Sequence, residues 1–145
     1  MALKGLHMPN AMWREWSEEE MGAVEDLKPD ILLVLVYGTS AAFWHARQLR
    51  ELKTWLPDIK FIYRFYPTPK PATLSGADWA GWCKERLNLC GFPVGEIVPA
   101  NEMNIEGWGS DWPAMHVWLR EFAQEYMRLD PFPRLHLPAL SPAPG

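Results

Sequence analysis

Apolar and polar residues alternate along this chain in blocks, and the blocks change period in a regular order. Residues 3–7 form a short strand candidate almost at the first residue. Ser17-Glu18-Glu19-Glu20 then has the form of a capping box, with Ser17 as N-cap and Glu20 three residues on, so a helix is expected to run to about Leu27 and stop before Pro29. The run Ile31-Leu32-Leu33-Val34-Leu35-Val36-Tyr37 is apolar without a break, as a strand covered on both faces must be. Gly38-Thr39-Ser40 turns the chain into a second helix, where Ala42, Ala46, Leu49, Lys53 and Leu56 recur at helical spacing and Lys53 can lay its stem along the seam.

The pattern then repeats. Pro57-Asp58 ends the helix, residues 59–65 make a third strand, and the Pro-rich segment 66–71 forms a stiff loop. Ser75 with Asp78 opens a third helix carrying Trp79, Cys83, Leu87 and Cys90 on one stripe, with Gly91 placed as its C-cap. Residues 96–100 read as a fourth strand, in which Pro99 cannot donate to a ladder. Ser110 or Asp111 caps a fourth helix with Met115, Leu119, Phe122, Tyr126 and Leu129 as its apolar stripe, and residues 134–138 are a fifth strand candidate.

The order is thus βαβαβαβαβ, with strands about thirty residues apart, and right-handed crossovers of this kind build a parallel sheet. An open doubly wound sheet fits, and so does a parallel (β/α) half-barrel of TIM-barrel type with about four and a half βα units. Residues 1–138 read as a single half-barrel domain and residues 139–145 as a Pro-rich C-terminal tail. A half-barrel would leave its first and last strands unpaired, so a homodimer or other self-association is expected.

Composition narrows the chemistry. The net charge of −4 and a pI near 5.5, with no basic run, speak against nucleic acid and anionic membranes as partners. No apolar run approaches membrane-spanning length and the Met1 region lacks a signal-peptide pattern, so a soluble chain is expected; a cytoplasmic location fits these features, and export by another route stays open. Cys83 and Cys90 lie seven apart on one helix, about 10 Å along its axis, too far to bridge. No Gly-rich phosphate loop follows any strand, so no nucleotide cofactor is implied. His7 and His136 could ligate a metal, but the first strand lacks a paired His-x-His, and none is expected. His45 and His116 fall on helices and read as surface or packing residues.

Loops after strands are where α/β folds place their chemistry, and the richest one follows the fourth strand. Asn101-Glu102 pairs an amide that can hold a ligand hydroxyl with a carboxyl that can move a proton. The same residues could equally cap their own loop and face water. With Met103-Asn104-Ile105-Glu106-Gly107-Trp108 after it, the motif resembles the Asn-Glu-Pro-Asn type signature of clan A glycoside hydrolases. Those are (β/α)₈ barrels in which Asn-Glu ends the fourth strand, as it does here; Met103 stands where Pro is frequent. The resemblance covers the whole chain as strand order, but its specific part is these few residues.

The resemblance implies that Glu102 is the general acid/base and that Asn101 binds the sugar 2-hydroxyl. That family's nucleophile is a second Glu after the seventh strand, beyond the five read here. Glu106, or a partner chain, is the candidate source of that second carboxylate. His7 at the end of the first strand and Arg64 in the third could share the mouth with Glu102, and a buried Arg64 needs an acid partner, which Glu102 would supply. Trp13, Trp16, Tyr37, Trp44, Tyr66, Trp108 and Trp112 fall in or beside strand-end loops, where flat rings could stack on sugars or simply pack. Substrate contacts are therefore expected from Asn101, His7, Arg64, Tyr66, Asn104 and Trp108. The expectation is a carbohydrate-binding, glycosidase-like half-barrel; the alternative is a non-catalytic binding or assembly module of the same fold.

Overall fold

In the computed structural model, residues 3–66, 73–100, 111–130 and 135–136 are described. The elements follow the expected order: β1 (Gly5–His7), α1 (Glu18–Leu27), β2 (Ile31–Val36), α2 (Ala41–Trp55), β3 (Lys60–Phe65), α3 (Gly76–Cys90), β4 (Glu96–Val98) and α4 (Trp112–Leu129). The sheet order is β1-β2-β3-β4 and every pair is parallel. Leu135 extends it by one parallel bridge to Ile97, with the His136 N–H donating to the Ile97 carbonyl at 2.7 Å. That bridge falls where the fifth strand is expected. The Pro-rich tail 139–145 lies outside the described residues.

Sheet order decides between the two architectures. Right-handed crossovers between successive neighbours, with no reversal, keep every helix on one side, whereas a doubly wound sheet reverses its order and covers both. The core agrees. Leu32, Val34 and Val36 of β2, Phe61, Tyr63 and Phe65 of β3, and Ile97 of β4 pack in one cluster with residues from all four helices: Val24, Leu49, Leu52, Trp79, Cys83, Trp118 and Phe122. The alternate residues Ile31, Leu33 and Ile62 point the other way, are half-buried, and belong to no helix-packed cluster. This is the one-sided layering of a parallel half-barrel.

Local chemistry explains the element ends. Ser17 and Glu20 form the reciprocal capping box, Ser17 Oγ accepting from the Glu20 N–H at 3.2 Å and Glu20 Oε2 from the Ser17 N–H at 2.7 Å. Gly91 closes α3 at φ 72°, a left-handed conformation that costs glycine nothing. Gly76 opens α3 hard against α4: a Cβ there would lie 2.1 Å from the Trp118 carbonyl oxygen. Lys53 lies along its seam as expected, its Nζ donating to the Ile59 carbonyl at 2.7 Å and sitting 5.9 Å from the Phe61 ring centroid. Cys83 and Cys90 are buried free thiols.

Several elements differ from expectation: β1 begins at Gly5 rather than residue 3, β2 ends at Val36 rather than Tyr37, α2 ends at Trp55, before Leu56, and β3 begins at Lys60 rather than residue 59. β4 stops at Val98 rather than residue 100, because Pro99 has no N–H for the ladder. On α4 the buried stripe is Met115, Trp118, Phe122 and Tyr126, with Leu119 and Leu129 at its flanks. At about 100° per residue Trp118 and Leu119 fall on opposite sides of the line through Met115, Phe122 and Tyr126, and the buried face takes in the Trp118 side.

Candidate functional site

The helix-free face of the sheet rises in rows toward the strand C-terminal ends. His7, Leu33, Ile62 and Glu96 share one row by strand register, and Leu35, Arg64 and Val98 share the next. Beyond them Tyr37 and Tyr66 face each other, ring centroids 5.6 Å apart. Three expected contact residues therefore gather on one face and at one end: His7, Arg64 and Tyr66.

Electrostatics tie the first two together. Atoms packed on one side of the otherwise exposed His7 ring lower its pKa, and the positive Arg64 lowers it further, while a hydrogen bond with the Met8 backbone opposes both. At neutral pH His7 is an uncharged imidazole beside a guanidinium. Arg64 is half-buried, with its Nε sealed from solvent. Tyr37 is buried and donates its hydroxyl hydrogen to Asn10 Oδ1 at 2.6 Å; burial pushes its pKa up to about 12, so it stays a donor.

Asn101, Glu102, Asn104, Glu106 and Trp108 lie outside the described residues. The chain is anchored on both sides of residues 101–110. The Trp79 indole N–H donates to the Pro99 carbonyl at 2.6 Å and Ala100 is fully buried, so the chain leaves β4 from a held point. On the far side, Asp111 caps α4 by accepting from the Ala114 N–H at 3.0 Å.

The other aromatics divide by exposure. Trp16 is buried and donates its indole N–H to the Pro9 carbonyl, and Tyr37 is buried, so both pack rather than offer a face. Trp44 is half-buried, while Trp13 and Trp112 stand 73% and 54% exposed in the segments after β1 and at the start of α4. Of the helix histidines, His116 is on the surface and His45 is fully buried. Among the described residues no group of three or more His, Cys, Asp or Glu is placed to hold a metal ion. No described helix is long and apolar enough to cross a membrane.

Asn10, Thr39, His45 and Gln48 fasten the β1–α1 segment to the end of β2 and to α2, a role that the hydrophobic pattern assigns to none of them. Two of the four carry a signal. Residues 41, 45, 48 and 52 share one helical face, so His45 and Gln48 sit on the buried stripe of α2 between Ala41 and Leu52. A polar side chain on such a stripe must find a partner, and both do. Comparison of the chain with protein-family models, curated proteins and solved structures gives no match.

Proposed function

We propose that the strand C-terminal mouth of this half-barrel binds carbohydrate, with Glu102 as general acid/base and Asn101 holding a sugar hydroxyl. One observation carries the reading: the unreversed parallel order makes β4 the fourth strand, and it ends at Val98, three residues before Asn101, on the rim that holds His7, Arg64 and Tyr66. A sugar ring needs flat apolar contact and directional hydrogen bonds. Tyr66 and Trp108 would supply the first; His7, Arg64, Asn101 and Asn104 would supply the second. In turnover Glu102 protonates the glycosidic oxygen and a second carboxylate acts about 5–5.5 Å away for retention or about 6.5–9.5 Å for inversion. Glu106 is that group, or a second copy of the chain contributes it by associating along the open edges of the sheet.

A second reading has its own support. Among the described residues the helix-free face holds one carboxylate, Glu96, and it is engaged by the His136 Nε2. If Glu102 has no second carboxylate within reach, the mouth binds sugar without cleaving it. Glu102→Gln decides between the two. If the site is catalytic, hydrolysis of activated aryl glycosides collapses in the variant while sugar binding survives. Wild-type protein that binds sugar without turnover supports the non-catalytic module, and wild-type protein that does neither overturns both.

A further inference from the structure

Residues 9–16, between β1 and α1, contain no helix or strand, yet they are fastened to the rim at several points. Tyr37 Oη donates to Asn10 Oδ1, and Thr39 Oγ1 donates to the Met12 carbonyl at 2.7 Å. The Gln48 amide exchanges two hydrogen bonds with the Trp16 backbone, accepting from its N–H at 3.1 Å and donating to its carbonyl at 2.8 Å. His45 Nε2 meets the Arg14 carbonyl at 2.9 Å. Of these fastenings only the last uses a group that titrates near neutrality.

The surroundings of His45 make its charge state consequential. The ring is fully buried, stacked on the Trp16 indole at 3.9 Å and 11°, with Tyr37 edge-on at 6.1 Å. A carbonyl can only accept, so Nε2 carries the hydrogen. That leaves Nδ1 as a bare acceptor, buried and without a hydrogen-bond partner among the described residues.

We propose that His45 is a pH-operated latch: neutral, it holds the 9–16 segment against the strand-end rim, and protonated, it lets the segment go. A proton on Nδ1 would create a buried N–H with no acceptor and a charge without water. The charged groups acting on the ring are Arg14 and Glu15 from the segment and Glu20 from α1. Glu20 is already held by Arg14 at 2.6 and 2.7 Å, and Glu15 by Arg47 of α2 at 2.7 Å, while Tyr37 from the end of β2 is a neutral phenol. Neither of these two carboxylates is left uncommitted to receive the imidazolium. Burial outweighs the rest and lowers the His45 pKa below 6.5. Attraction to the Trp16 ring face offsets only part of the lost hydration. Lifting the segment restores water to the ring, and it moves Asn10 and Trp13 at the mouth.

The sign follows. The closed form resists the proton and the open form takes it near pH 6.5, so the latch is held most firmly above that pH and loosens as pH falls below it. Residue-resolved amide exchange of the 145-residue chain between pH 7.5 and 5.0, expressed as protection factors, tests this without any ligand and independently of the carbohydrate reading. Protection of the Arg14 and Trp16 amides should fall as pH drops below 6.5, by up to tenfold per pH unit and at most about thirtyfold over that range, while α3 amides hold steady. His45→Phe keeps a flat ring and has no proton to take, and His45→Gln keeps an N–H donor for the Arg14 carbonyl. Either variant should flatten the profile, although His7 remains in both. A flat wild-type profile, a slope that survives both substitutions, or loss of protection everywhere in step would overturn the latch.

Discussion

Trp79 joins the helix-packed core to the point where β4 hands over to Asn101, so removing its N–H probes how the site is held. Its ring is fully buried, lies parallel to Trp82 at 4.6 Å and 6°, and meets Phe65 edge-on at 6.3 Å. Trp79→Phe keeps an aromatic ring but deprives the buried Pro99 carbonyl of its 2.6 Å donor. An orphaned buried acceptor costs about 1–3 kcal/mol. The smaller ring leaves a space on the order of 40 Å³ at the far end of the indole site, which at ~24 cal/mol per Å³ adds about 1 kcal/mol, and the weaker stack on Trp82 removes about 0.5 kcal/mol. The sum is about 2–5 kcal/mol, a large share of the ~5–15 kcal/mol that a domain has in hand. Urea unfolding at pH 7 should show the midpoint dropping by roughly 1–3 M at unchanged slope. A drop below about 0.5 M would mean that the indole does not hold the end of β4.

Two further predictions concern α3 and α1. Gly76→Ala puts a methyl group 2.1 Å from the Trp118 carbonyl oxygen and 2.7 Å from the Phe122 nitrogen, so α3 and α4 must part and stability should fall by about 3 kcal/mol or more; Gly81→Ala on the same helix meets nothing within 4 Å and should gain up to about 1 kcal/mol. Paired thermal melts check both, and equal shifts would refute the close approach. The Glu20 carboxyl is held at a pKa of about 2, chiefly by hydrogen bonds from Arg14 and then by the Ser17 N–H. A depressed acid stabilises above its unfolded value of 4.5 and stops doing so as pH falls toward 2, so Glu20→Gln should lower Tm at pH 7 and converge on wild type across that window. A Tm gap independent of pH would contradict the assignment.

How far the molecule can be read from its residues follows from how local each signal is. The Ser17–Glu20 box, the Ile31–Val36 run and the Gly91 cap are contained in a few consecutive positions, and each element forms where those positions say. Strand neighbours are not local: the β2 run is equally apolar in a reversed or an unreversed sheet, and only the pairing of Leu35 with Arg64 and of Arg64 with Val98 shows which holds. At the rim, His7, Arg64 and Tyr66 were legible because strand period sends alternate residues to one face. The Asn10–Tyr37 and Gln48–Trp16 bonds join residues 27 and 32 apart with no pattern between them. His45 was legible as a packing residue, but its unpartnered Nδ1 depends on a segment 31 residues away.

The most direct measurement follows backbone and side-chain resonances of the wild-type protein through titration with a panel of neutral oligosaccharides. Saturable shifts concentrated at Glu102, Asn101 and Trp108 together with His7, Arg64 and Tyr66 are the expected result, because all of them would line one mouth. Shifts confined to the helix-covered face, or none at millimolar sugar, would contradict a carbohydrate site at the strand ends.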